Sequence, residues 1–251
     1  MPETAEVPRL RLSLLLWLAG MLGVIVLTIT VLPQLLREVP LTAPLWVVLL
    51  ASLAQSSLLV ALAVWAGVAL APKVGLRAPA FQAAVTARPL VTALRPQLLP
   101  SLIAGVLGGL SLVAVGRYAP AALVEIQTRF NPPLLARILY GGITEELLLR
   151  WGLMTALVWV AWRFLQRRRG TPRTGYIWLA IVASAVLFGA GHLPAATALV
   201  GTLSGDIVVY VVGANAAFGV LFGYLFWRYG LEAAMIAHGT AHAVSYVVGL
   251  L

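Results

Sequence analysis

Long apolar runs recur along the chain, near residues 12–32, 45–71, 98–116, 134–162, 176–200, 206–227 and 231–250. Each is close to the ~20 residues that carry a helix across the hydrocarbon of a bilayer. The runs are continuous rather than alternating, which argues against lipid-facing barrel strands. Backbone in lipid must satisfy its own hydrogen bonds, so helices are the form that remains. The pattern predicts an all-α integral membrane protein, a polytopic helical bundle of about 7–8 transmembrane helices. The first run follows MPETAEVPRLRL and is too long for a cleaved signal, with no small-x-small site after it, so a retained anchor is expected.

The polar positions divide the chain. Residues 72–97 are Pro-rich and carry Lys73, Arg77, Arg88 and Arg95, which reads as a basic linker. Residues 1–100 are then N-terminal spans and linker, and 101–251 form a core bundle holding the unusual polar residues. Residues 163–173 carry Arg163, Arg167, Arg168, Arg169 and Arg173 with no acid. Both basic loops are expected in the cytoplasm. Two spans separate them, which is self-consistent and places the N-terminus inside. The connection 117–133 carries Arg117, Glu125 and Arg129, fits less well outside as a free loop, and reads as an amphipathic interfacial helix. Residues 193–205 are uncharged and contain Pro194; the pattern leaves open a prolonged helix or a re-entrant turn.

Composition agrees. The chain is 61% hydrophobic and 10% charged, where a soluble domain has about 25% charged residues. Its net charge of +9 is nearly all arginine. Those arginines lie between apolar runs rather than on a soluble face, so they fit membrane orientation and give no reason to expect nucleic acid. Short loops and compact size suggest a prokaryotic inner membrane. There is no cysteine, which excludes disulfides and Cys-ligated metals.

Against this background, GGITEELLLRW at 141–151 stands out. An ionisable group in mid-membrane costs about 2.5–3.5 kcal/mol on insertion scales and is functional by default. Glu146 and Arg150 are four apart, share a helix face and can pair. Glu145 lies about 100° round the helix with no partner on its own helix. A purely architectural ion pair would also account for Glu146 and Arg150. All three histidines follow in the same half: His192 closes FGAGH, and His238 and His242 form HGTAH on one helix face. Gly189 and Gly191 are expected to allow close backbone approach near His192. Gly219 and Gly223 read as a packing face, with Asn215 as an inward polar group. These residue types suit activated water attacking a carbonyl, with Glu as base and His as proton partner or oxyanion donor. Glu145, His192, His238 and His242 could instead hold Zn²⁺. The residues alone leave metal-assisted and metal-free chemistry open.

The ordered motifs E-E-x-x-x-R at 145–150, F-x-x-x-H at 188–192, the Gly-rich helix around 218–223, and H-x-x-x-H at 238–242 resemble those of the CPBP family of intramembrane proteases. This group contains the type II CAAX prenyl endopeptidases and abortive-infection-like proteins. The resemblance covers roughly residues 130–250. It implies a helical bundle round a water-filled cavity, cutting a peptide bond of a membrane-associated substrate, CAAX-type and prenylated in some members. On that resemblance Glu145 is the general base, Glu146 and Arg150 the supporting pair, His192 a second holder of the water, and His238 an oxyanion-side donor. The family pattern ends in Asn where this chain has His242, which adds a metal-capable group. The substrate is expected from the cytoplasmic side or laterally from the bilayer. Two other classes fit the same polar core: a non-catalytic immunity or binding protein, and an ion-coupled transporter. The transporter would call for repeated halves, which the sequence does not show.

Overall fold

The computed structural model describes residues 7–37 and 41–250. Among the described residues the chain is helical throughout, in the order α1 (Arg9–Thr30), α2 (Leu32–Leu35), α3 (Leu45–Val74), α4 (Pro79–Val85), α5 (Leu90–Gly116), α6 (Ala121–Arg129), α7 (Leu134–Leu165), α8 (Thr174–Gly191), α9 (Leu193–Val200), α10 (Gly205–Tyr229) and α11 (Leu231–Val248). Six of these stretches are long and apolar enough to cross a membrane: α1 continued by α2, α3, α5, α7, α8 continued by α9, and α10. The seventh predicted span is α11. Its apolar run is interrupted by Glu232, His238 and His242, and it lies inside the bundle with Ala233, Ala234, Ala237 and Ala241 fully buried.

The helices run up and down in sequence. Gly67 of α3 faces Trp151 of α7 while Gly152 faces Ala63, and Gly142 of α7 faces Gly239 of α11. The α3–α7 pair is parallel, since Gly20 of α1 meets Val60 and Leu147 together, and the α7–α11 pair is antiparallel. Gly105 and Gly109 of α5 lie against Thr240 and Val244 of α11, a parallel pair. Small residues at such crossings let helix backbones approach in lipid, where apolar contact alone gives no preference for protein over acyl chain. The chain turns sharply from α10 into α11 at Gly230, whose φ of 124° suits glycine. There Leu231 donates its N–H to Arg77 O at 3.0 Å, tying α11 to the α3–α4 connection.

One element boundary differs from the sequence pattern, one open reading is resolved and one expected helix is found. Helix α5 begins at Leu90, not near 98, despite Pro96 and Pro100 within it. The side chains of Gln97 and Ser101 bond back to Ala93 O at 2.9 Å and Gln97 O at 2.6 Å, sustaining the polar first turns. Residues 193–200 prolong the fifth span as α9, with the break at His192. The predicted interfacial segment 117–133 contains α6, whose Arg129 pairs with Glu125.

Helix α7 departs from regular α-helix. Residues Arg137–Glu145 and Leu147–Met154 take π-helical geometry, with hydrogen bonds closing five residues back. Such segments are rare and are found mostly at functional sites. Thr144 Oγ1 donates across to Gly20 O on α1 at 2.7 Å, and Thr155 Oγ1 to Arg150 O at 3.1 Å. Both hydroxyls are buried and hydrogen-bonded, as burial requires.

Candidate active site

The three acidic and basic residues of α7 and the three histidines come together inside the bundle. Glu146 and Arg150 are sealed, at 0% and 1% side-chain exposure. Their closest approach is Glu146 Oε2 to Arg150 Nε at 3.3 Å, an ionic contact not aligned as a hydrogen bond. Arg150 is held further by Gly219 O on α10, 3.2 Å from Nη2, and by the ring of Phe188, 4.9 Å from its guanidinium carbon. A buried cation thus meets one carboxylate, one carbonyl and an aromatic face. Each offsets part of its desolvation.

Glu146 also reaches α11. Its Oε1 lies 2.8 Å from Nδ1 of His238. The far nitrogen of His238, Nε2, lies 3.1 Å from Nε2 of His242. With Glu146 ionised beside Arg150, neutral His238 donates Nδ1–H to the carboxylate, and its Nε2 accepts from His242. The partners thus assign the protons along the row. Phe222 of α10 stacks on the His238 ring at 4.4 Å, and Phe188 meets His192 edge-on at 4.8 Å. The imidazoles are therefore clamped by aromatic rings as well as by hydrogen bonds.

Glu145 is placed differently. It is 16% exposed, and its two oxygens face different histidines: Oε1 lies 3.9 Å from His192 Nε2, and Oε2 lies 4.0 Å from His238 Nε2. These separations are too long for direct hydrogen bonds and short enough for one water to bridge, since two bonds of about 2.8 Å can span them. His192 is oriented by its other nitrogen, Nδ1–H, which donates to Phe188 O at 2.9 Å. Its Nε2 lone pair is thereby directed toward Glu145.

All six residues singled out in the sequence thus belong to one cluster. Four of them, Glu145, His192, His238 and His242, line a cavity of about 500 Å³ whose walls are otherwise mainly apolar. Asn215 lines it too, with Nδ2 bonded back to Val211 O at 2.8 Å, as an inward polar group should. Gly219 and Gly223 form the packing face against α8, at Ala185 and Ile181. The expectation for FGAGH is corrected in one respect. Gly189 meets the backbone of Val212, but a side chain at Gly191 would meet nothing within 4 Å, because Gly191 faces the cavity. Among the described residues no group of three or more His, Asp or Glu side chains is arranged to hold a metal ion.

Several contributors are not evident from the sequence. Gly141 leaves room for the His242 ring, where a Cβ would stand 2.7 Å from Nε2. Phe188 and Phe222 look like ordinary core residues until their rings are seen against the imidazoles. The FGAGH motif hints at the first, since Phe188 is one helical turn before His192. No comparable signal marks the second.

No curated protein and no solved structure matches the chain. Residues 127–244 match the family model described as Rce1-like, type II CAAX prenyl endopeptidase Rce1-like. The match runs from the end of α6 to the second half of α11 and so contains every residue of the cluster. The matched stretch, residues 127–244, is thus similar to the Rce1-like type II CAAX prenyl endopeptidase family, and the ordered Glu, Arg and His motifs all fall within it.

Proposed function

We propose that the chain is an intramembrane endopeptidase that hydrolyses a peptide bond of a membrane-associated substrate with a water activated by Glu145. The observation that carries this reading is the half-open position of Glu145, about 4 Å from two oriented imidazoles in an apolar cavity. A carboxylate that only stabilised the bundle would sit as Glu146 does, sealed and directly paired.

The geometry suits a water held between Glu145 and the Nε2 lone pair of His192. Both are acceptors, so the water donates both hydrogens and turns an oxygen lone pair outward. Glu145 takes one proton as the oxygen attacks the scissile carbonyl, and the carbonyl becomes an oxyanion. On the Oε2 side of Glu145's carboxylate His242 is the donor to that oxyanion: its Nε2–H, shared with His238 at rest, can be captured by the new charge, while His238, its own N–H committed to Glu146, holds that ring in place. Collapse of the tetrahedral adduct breaks the C–N bond, and the proton held by Glu145 passes to the leaving amine. Glu146 and Arg150 touch no reacting atom. They fix the tautomer and angle of His238.

The His242 substitution for the family's Asn is compatible with this scheme, since neutral His and Asn can each donate one N–H. Purified protein in detergent, assayed on prenylated and amphipathic peptides beside Glu145→Gln, tests the proposal. Cleavage by the wild type and its loss in the variant are expected. Cleavage that survives Glu145→Gln would overturn the assignment of the base. Metal analysis of the same samples decides whether the histidines also serve as ligands: stoichiometric zinc whose removal abolishes cleavage would replace this metal-free scheme.

A further inference from the structure

The cavity belongs to one end of the bundle. On the α1 side it is lined by Leu27, Val31 and Leu35, at and beyond the C-terminal end of that helix. Leu112 is near the end of α5, Ala136 near the start of α7, and Ala195 just past the end of α8. Up-and-down order puts all four of these helix ends on the same side. The cavity penetrates to Leu149 and Phe222 and no further, and among the described residues none in the loops at the other end lines it.

Most of the basic residues lie at that other end; Arg37, Arg117, Arg129 and Arg137 are the ones on the cavity's side. Arg9 begins α1, Lys73 ends α3, Arg77 and Arg88 flank α4, and residues 167–169 and 173 follow α7. Cytoplasmic loops are the ones enriched in Arg and Lys. The wall at the mouth carries the single guanidinium of Arg137, and its side chain is already engaged, by Pro132 O at 3.0 Å and Asn131 Oδ1 at 2.7 Å.

We infer that the catalytic cavity opens on the non-cytoplasmic side of the membrane, so its substrate is an apolar peptide segment presented at the outer face. This deepens the endopeptidase reading and rests on it for the word substrate, but the direction of opening stands apart from the chemistry. It differs from the cytoplasmic or lateral access expected from the sequence. The reason is depth: Glu145 is twelve residues into α7, while twenty residues of that helix lie between it and the arginine-rich turn. At about 1.5 Å per residue, that turn is some 30 Å away along the helix.

The cysteine-free chain makes the test direct. Ala195→Cys places a thiol on the exposed cavity rim, and Thr171→Cys places one on the basic turn. Cells carrying each variant in the plasma membrane are treated with a membrane-impermeant maleimide, before and after permeabilisation. Labelling of Ala195→Cys in intact cells, with Thr171→Cys labelled only after permeabilisation, is the expected result. The reverse pattern, or labelling of both in intact cells, overturns the inference. Should Ala195→Cys fail to accumulate or stay unlabelled under both conditions, Thr202→Cys in the turn after α9 and Ala84→Cys in α4 decide in the same way. Cleavage is read separately, with a reporter peptide displayed on either face. Outside labelling with no cleavage on either face would leave the orientation standing and refute the protease reading alone.

Discussion

Replacing Glu146 by Gln perturbs the most deeply buried charge pair in the molecule. Gln keeps the shape and can still accept from His238 Nδ1–H, which lies 2.8 Å from Oε1. What it removes is the negative charge 3.3 Å from Arg150 Nε. Arg150 is 1% exposed and would retain only Gly219 O and the faces of Phe188 and Phe222. Breaking a buried pair by removing one partner typically costs about 3–5 kcal/mol, most of it from the stranded charge. The expected loss for Glu146→Gln is therefore roughly 3–5 kcal/mol, and a similar loss is expected for Arg150→Met. The double variant has no stranded charge. Its loss should fall well short of the sum, with a coupling of about 2 kcal/mol or more, within the upper range for residues in one network. Unfolding free energies in mixed detergent micelles for the three variants and the wild type close the cycle. Additive losses, within about 0.5 kcal/mol, would refute the claim that these two residues stabilise the bundle as a pair.

Other outcomes follow from the same geometry. Glu145→Gln should lower kcat on a cleavable peptide by about 10²–10⁴, the range for a general base, yet barely move the unfolding midpoint, because neither carboxylate oxygen is within hydrogen-bond distance of a histidine. His242→Asn should keep activity within about tenfold, while His242→Leu should lose about 10²–10³, the loss typical of an oxyanion donor; equal activities would remove His242 from the site. Phe222→Ala takes away the ring stacked on His238 and leaves a cavity at a position only 1% exposed. It should cost roughly 3–5 kcal/mol in the same unfolding assay. Glu232→Ala should free the N-terminus of α4, since Glu232 Oε1 accepts from Phe81 N–H at 2.8 Å. Faster protease nicking within residues 75–89 than in the wild type is the expected readout, at a cost of about 1–3 kcal/mol.

Much of this protein is legible in one dimension. Bilayer thickness sets the length of an apolar run, and the absence of water inside lipid forces helix, so the spans near 12–32, 45–71 and 206–227 reappear as α1, α3 and α10. The same physics marks Glu145, Glu146, Arg150 and the histidines, because any charged or titratable group in such a run needs a reason to be there. The four-residue spacing of Glu146 and Arg150 predicts their pairing from helix geometry alone. Tertiary structure decided the rest. Helix spacing does not say which neighbour meets a side chain across the bundle, so the sequence could not tell that Glu146 is sealed against His238 while Glu145 is left half-open between two imidazoles. Nor could it single out Phe222 as the ring beneath His238, since a phenylalanine in an apolar helix has the same local pattern whether it faces a core, a lipid or an active site. The end of the bundle at which the cavity opens depends on how far along each helix the polar residues fall when seven helices are stacked, a sum over the whole fold that no single motif carries.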